Sequence, residues 1–437
     1  MRDSRGEVFS SGTSASHEAF ERALAAFNVY RGDAVAMIEE ALAVDPDFVM
    51  GHVLRAEVLI TMWERSVLPT VRTSLERLQS LHATSNDRER AHARAISLWA
   101  SGDWNGMRLC LERLLADYPR DLLALQLAHL ADFYHGDRDN LRARPERVLP
   151  RWSAAEPGYG ILLGMHAFGL EECGQYAQAE EVGRHALDLQ PDDCWAHHAV
   201  AHVLEMQARQ AEGIAFMHSR EAHWAQADNG FAFHNWWHTA LFNLDLGHDA
   251  AALELYDQGI RPEPVGIQLM MVDATALLWR LHLNGVEAEA RWVELADSYE
   301  QSGEAGFYVF NDTHAMAAYA ATGRSQAAAE LIRAVEANAG NDTNARMTAE
   351  VGLPIVKALH AFGQGRFAET IELLLPVRFK AHAFGGSHAQ RDLIHRTLLE
   401  AALRGGERSL ARALAHERTA QKPHCPFSWG LRTRAGH

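Results

Sequence analysis

Apolar residues recur at i, i+3, i+4 and i+7 along almost the whole chain, and convincing alternating apolar–polar stretches of the strand type do not occur in it. The pattern predicts an all-α protein. Short glycine-centred breaks punctuate it at intervals: Tyr30-Arg-Gly-Asp-Ala34, Ser101-Gly-Asp-Trp104, Leu246-Gly-His-Asp-Ala250, Asn284-Gly-Val-Glu-Ala288, Thr322-Gly-Arg-Ser325, Gly363-Gln-Gly-Arg-Phe367 and Arg404-Gly-Gly-Glu-Arg408. Each separates two helical stretches of about a dozen residues or more. Prolines at Asp45-Pro46-Asp47 and Tyr118-Pro119 then stop the second stretch of a pair, because proline lacks the amide donor a helix needs.

The unit that repeats is clearest over Tyr159 to Asp192. A first helix ends at Gly174-Gln-Tyr176, a second follows, and Pro191 closes it, as in a tetratricopeptide repeat of roughly 34 residues. About nine or ten such hairpins fit the chain, some longer or degenerate. One hairpin cannot bury its apolar face alone, so the expected fold is a tetratricopeptide-like α-solenoid of stacked helical hairpins. Residues 1–18 read as a flexible lead, 19–150 as N-terminal hairpins, and 151–437 as a histidine-rich part continuing the same superhelix. The segment from Pro145 to Pro157 is the expected bend between them.

Composition narrows the function classes. Of 437 residues 48% are hydrophobic and 22% charged, which suits an ordered soluble protein. Lys and Arg number 41 against 57 Asp and Glu, for a formal charge of -16 with no basic stripe, so nucleic acid is not an expected partner. No apolar run of roughly 18 residues suggests a membrane span. The N-terminus lacks the apolar core of a secretory signal. Four cysteines in a chain this long do not make a disulfide framework and no C-x-x-C occurs, so a reducing cytoplasm is the expected location.

Histidine is what changes the picture. Seven lie between Trp195 and Leu241, and His198/His202 and His234/His238 are each four apart, so each pair shares a helix face. Imidazole titrates near neutrality and ligates metals, so these positions are candidates for proton transfer or metal binding. His198, His202 and Glu205 fall at i, i+4 and i+7, the arrangement of a divalent site such as zinc, although Ala199 stands where the H-E-x-x-H motif has its glutamate. Counted back from the turn glycines, His166, His238, His314 and Asp273 all fall on first helices and within about half a helix circumference. Stacking would bring them to one inner groove.

Asn311-Asp312-Thr-His314 opens one first helix, where Asn311 or Asp312 is equally a helix cap. His388-Ala-Gln-Arg391-Asp392 opens the last, with Arg391 as a fork for a carboxylate or as Asp392's ion-pair partner. Of Trp236 and Trp237 one is expected to pack between helices and the other to wall the groove; Glu171 and Glu172 are expected to be solvated. The histidines themselves have a plain structural alternative as satisfied helix–helix contacts.

These segments carry a resemblance. Asp45-Pro-Asp-Phe-Val-Met-Gly-His52, Ala199-Val-Ala-His-Val-Leu-Glu-Met206, His234-Asn-Trp-Trp-His238, Asp273-Ala-Thr-Ala-Leu-Leu-Trp279, Asn311-Asp-Thr-His314 and Gly386-Ser-His-Ala-Gln-Arg-Asp392 resemble a bacterial member of the tetratricopeptide repeat protein 38 family. The resemblance spans nearly the whole chain and implies the α-solenoid; it implies no reaction. The residues themselves give two expectations. In the first, an inner pocket binds a small polar or anionic molecule, or a short peptide, with hydrolase- or lyase-type chemistry. His198, His202, His238, His314, Asp273 and Asp312 would be catalytic there, and His166, Glu205, His234, Asn235, Trp237, His388, Arg391 and Asp392 would bind ligand. In the second, the same groove is a non-catalytic scaffold for a peptide. A homo-oligomer is compatible with both.

Overall fold

The computed structural model describes residues 1–436. Helices run from Ser14–Asn28 to Pro426–Arg434, and among the described residues there is no strand beyond two isolated bridges, Arg2 with Val8 and Arg31 with Asn229. The fold is all-α, built of tetratricopeptide-like helical hairpins packed one on the next, the α-solenoid class that the periodicity predicts.

The hairpin chemistry is plain in Tyr159–Glu172 and Tyr176–Leu189. The first helix buries every residue from Gly160 to Glu172, while the second buries only Ala179, Gly183, Ala186 and Leu187, a single stripe. The same division holds for Gln268–Leu283 with Glu289–Ser302, and for Val309–Thr322 with Ser325–Ala337. First helices are therefore interior on all sides, which is why polar residues on them matter. Gly174 turns the chain in the left-handed region, at a φ of 77°, where a Cβ costs energy. Gly169 meets another need: a Cβ there would come within 2.3 Å of the Leu141 carbonyl oxygen of the preceding hairpin. Helices Ala34–Val44, Trp104–Asp117 and Tyr176–Leu189 each stop just short of Pro46, Pro119 and Pro191.

The chain forms two compact units. Unit 1 comprises Met1–Val200 with His223–Phe231; unit 2 comprises Ala201–Ala222 with the residues from Ala232 onward. The division falls inside helix Cys194–Met206 rather than at the proline-rich segment around residue 150. In unit 1 the first thirteen residues are not a loose lead. Phe9 is buried against Phe20 and Phe48, and Asp3 accepts hydrogen bonds from the Arg5 and Glu7 amides.

In unit 2 the first helices pack on one another. Gln268–Leu283 lies against Ala232–Asp245, against Val309–Thr322 and against His388–Arg404. Trp279 Nε1 donates to Thr397 Oγ1 at 2.8 Å, and Arg396 Nη2 donates to Asn284 Oδ1 at 2.9 Å, fixing the last hairpin to an earlier one. The inner faces of these helices thus cover each other.

Candidate functional site

A buried polar cluster of unit 2 forms where helix Ala232–Asp245 meets its neighbours. His234 and His238 are one turn apart, as their spacing requires. His234 Nδ1 lies 2.6 Å from Asp273 Oδ2, and Asp273 Oδ1 accepts from Gln390 Nε2 at 3.4 Å. Trp237 stacks on the His234 ring at 5.4 Å between centroids. One turn on, the His238 ring packs 4.4 Å from that of His202, and its Nδ1 lies 3.4 Å from Glu205 Oε2. Glu205 Oε1 receives the Lys422 ammonium at 3.1 Å.

Electrostatics follow from the burial. Burial, then the neighbouring His202, holds His238 well below its ordinary pKa, so it is neutral. Burial alone would raise the Glu205 carboxyl, but Lys422 and His238 overcome it and hold it well below the usual carboxylate range. His314 is lowered to about 4 by burial, partly offset by its Nδ1 bond to the Phe310 carbonyl at 2.8 Å. Its Nε2 has no hydrogen-bond partner among the described residues.

The structure brings together His202, Glu205, His234, Trp237, His238 and Asp273, with Asn235 on the same helix. His198 falls in unit 1, where Phe168, Trp195 and Phe231 surround its ring. His166 is also in unit 1, with Nε2 3.4 Å from Glu146. Asp312 neither caps its helix nor orients His314: Tyr308 occupies the cap position, Asp312 Oδ1 accepts from the Gly306 amide at 2.9 Å, and His314 is oriented by a backbone carbonyl.

At the last hairpin Ser387 makes the cap, with Gln390 completing a capping box. Arg391 does not pair with Asp392 there. It bonds the Gly386 carbonyl and lies 3.4 Å from His388 Nδ1, while Asp392 forms a two-toothed pair with Arg418. Glu171 and Glu172 are buried, not solvated, because they end an interior first helix. Of the tryptophans, Trp237 is the fully buried one; Trp236 is half-buried, its ring against Gly259. Glu205 pairs through Oε1 with the Lys422 ammonium.

Two members were missed from sequence. Arg280 is 1% exposed and lies over the Trp237 ring at 5.3 Å. It stands seven residues after Asp273, hence on the same face, as the one charge in the otherwise apolar Ala274–Leu283 stretch apart from His282; that was its signal. Lys422, 217 residues from Glu205, left none.

Unit 1 holds a separate ionic network. His92 lies between Glu57 (2.7 Å from Nδ1) and Asp121 (2.8 Å from Nε2), and Arg88 Nε donates to Asp121 at 2.5 Å. Nearby in sequence to His198, Asp193 caps helix Cys194–Met206 by accepting the Trp195 and Ala196 amides at 2.9 and 3.2 Å. Its Oδ2 is buried without a partner among the described residues, and burial pushes the carboxyl up to about 7. The folded protein therefore holds this proton more tightly than the unfolded chain, and stability falls as pH rises from about 4 through about 7. Asp193→Asn keeps the cap acceptor and removes the charge. We expect it to raise the urea unfolding free energy by about 1–2 kcal/mol at pH 8 and to change it little at pH 4; equal effects at both pH values would refute the assignment.

No family model matches the chain. Among solved structures it is similar to a chain of the APC/C hetero-tetramer Cut9–Hcn1, at 12% identity over 96% of this chain and 73% of that one, with a TM-score of 0.43. It is also similar to human IFIT1 with PPP-AAAA (14% identity, 89% and 90% covered, TM-score 0.44) and to yeast Tom70 (12%, 92% and 84%, 0.37). These likenesses transfer neither partner nor activity. No helix among the described residues is long and apolar enough to cross a membrane.

Proposed function

We propose that this chain works by binding rather than by catalysis, and that the buried polar cluster of unit 2 is the seat for a small polar molecule or the polar end of a short peptide. The observation that carries this reading is Asn235. Its side chain is fully buried, yet neither its amide nitrogen nor its oxygen has a hydrogen-bond partner among the described residues. Each such group costs about 1–3 kcal/mol when left unsatisfied. His314 Nε2 and Trp237 Nε1 stand in the same condition. Three unsatisfied polar side chains in one interior are economically explained by an occupant that offers both donors and acceptors.

A scaffold function is the commoner use of helical repeats, and the non-catalytic reading agrees with it. Because the first helices of unit 2 cover one another, the seat suits a compact occupant better than an extended peptide segment. Hydrolysis or elimination would need a nucleophile or an activated water beside His234, whose imidazole Asp273 would orient. The four cysteines are free thiols, which supports a reducing, cytoplasmic setting.

The test is native mass spectrometry of protein purified without denaturation, followed by solvent extraction. We expect a stoichiometric mass that is lost on unfolding and absent from Asn235→Leu that remains helical by circular dichroism. A wild-type protein of bare chain mass, whose melting temperature no small polar compound raises, would end this reading.

A further inference from the structure

Arg280 is a buried guanidinium without a counterion of its own. Its Nη1 donates to the Ala276 carbonyl at 2.7 Å and its Nη2 to the Ala389 carbonyl; both acceptors are neutral. A guanidinium carries five N–H donors, so three remain. No carboxylate lies within ion-pair distance of it among the described residues. The acidic groups that act on it from further away are Asp392, Glu205 and Asp245. The first is held by Arg418 at 2.5 and 3.0 Å and the second by Lys422 at 3.1 Å.

Arg396, on the helix packed against that of Arg280, repeats the condition. It is 5% exposed, donates to Asn284 Oδ1, lies over the Phe427 ring at 4.2 Å, and has no carboxylate partner among the described residues. Burial lowers both guanidinia, Arg396 to about 9 with Arg280 as the next cause. Burying a charge without an ion partner is costly, and two on adjoining helices call for an anion.

We infer that the seat in unit 2 is an anion site in which Arg280, lying over Trp237, takes the carboxylate of a small monocarboxylic acid, while Asn235 and His314 meet the rest of the molecule. This rests on the reading of the cluster as a ligand seat. A carboxylate matches the flat two-donor edge of a guanidinium. A phosphate dianion fits less well, because Glu205, Asp273 and Asp392 are already gathered around the same helices and would repel a second charge.

The competing account is that Arg280 is a strut tying the Ala389 carbonyl to helix Gln268–Leu283. The two differ in what Arg280→Met does. The full-length protein, dialysed into chloride buffer, is titrated calorimetrically with sodium acetate, lactate and benzoate, and with inorganic phosphate. We expect at least one carboxylate to bind, Arg280→Met to weaken it at least about tenfold, and the unliganded melting temperature of that variant to hold or rise. Arg280→Lys keeps the charge and loses the fork, so it should fold and still bind about tenfold more weakly, which covers the case in which the methionine variant misfolds. Binding unchanged in either variant, phosphate binding tighter than every carboxylate, or no carboxylate binding would overturn the inference. A neutral co-purifying molecule that survives Arg280→Met would overturn it while leaving the seat in place; bare protein with no response to any probe would remove both.

Discussion

Asp121→Ala is expected to cost unit 1 about 3–5 kcal/mol, measured as the loss in its urea unfolding free energy, because it removes the ion partner of buried Arg88 and one of the two carboxylates beside buried His92. Asp121 is 1% exposed, receives Arg88 Nε and His92 Nε2, and also accepts the Ala124 amide at the start of helix Leu122–Tyr134. Burial would raise this carboxyl, but Arg88 and His92 hold it well below the usual range. Burial likewise opposes a charge on His92, yet Glu57 and Asp121 overcome that and raise it to about 10. A histidine raised above its unfolded value near 6.5 stabilises the fold fully below that pH and loses its contribution as pH climbs through about 10. The mutational cost should therefore be largest at pH 6 and shrink towards pH 10. A loss below about 1 kcal/mol at pH 6 would show that Arg88 and His92 find other partners.

What the sequence carried is what local chemistry marks. Turn glycines such as Gly174 and Gly285 leave a trace because the left-handed conformation excludes most residues, and helix-stopping prolines leave one because they lack a donor. Counting from those glycines placed Asp273, His238 and His314 on interior first helices, and the structure has them there. Partnership is not local, and there the sequence was mute. His234 meets Asp273 from 39 residues away and Glu205 meets Lys422 from 217. Arg391 attracted attention as an anion fork because Asp392 and His388 adjoin it, yet Asp392 turns to Arg418. Arg280, hidden in an apolar helix, is buried where Arg391 is not. The first residues misled in the other direction: a serine- and glycine-rich run suggests looseness, but one phenylalanine, Phe9, anchors it. The first crossing between the two units leaves no mark, since it lies within helix Cys194–Met206.

Glu205→Leu is expected to destabilise unit 2 by about 3–5 kcal/mol, since Lys422 would keep its charge at a site built around a carboxylate. Lys422→Met should cost a similar amount for the mirror reason, leaving Glu205 beside a neutral His238. The double variant removes both charges from the interior together and should recover most of the loss, because a buried ion pair replaced by apolar side chains of similar size is often close to neutral. The folded Glu205 is held below its unfolded value, so its contribution is present above about pH 4.3 and fades as pH falls from there. Urea unfolding of the four proteins at pH 7 gives the coupling as a double-mutant cycle. A coupling under about 0.5 kcal/mol would mean that the Glu205–Lys422 contact is not what settles the charge of the His202–His238 cluster. A large coupling fixes Glu205 as an ionised carboxylate, the form that accepts from His238 Nδ1.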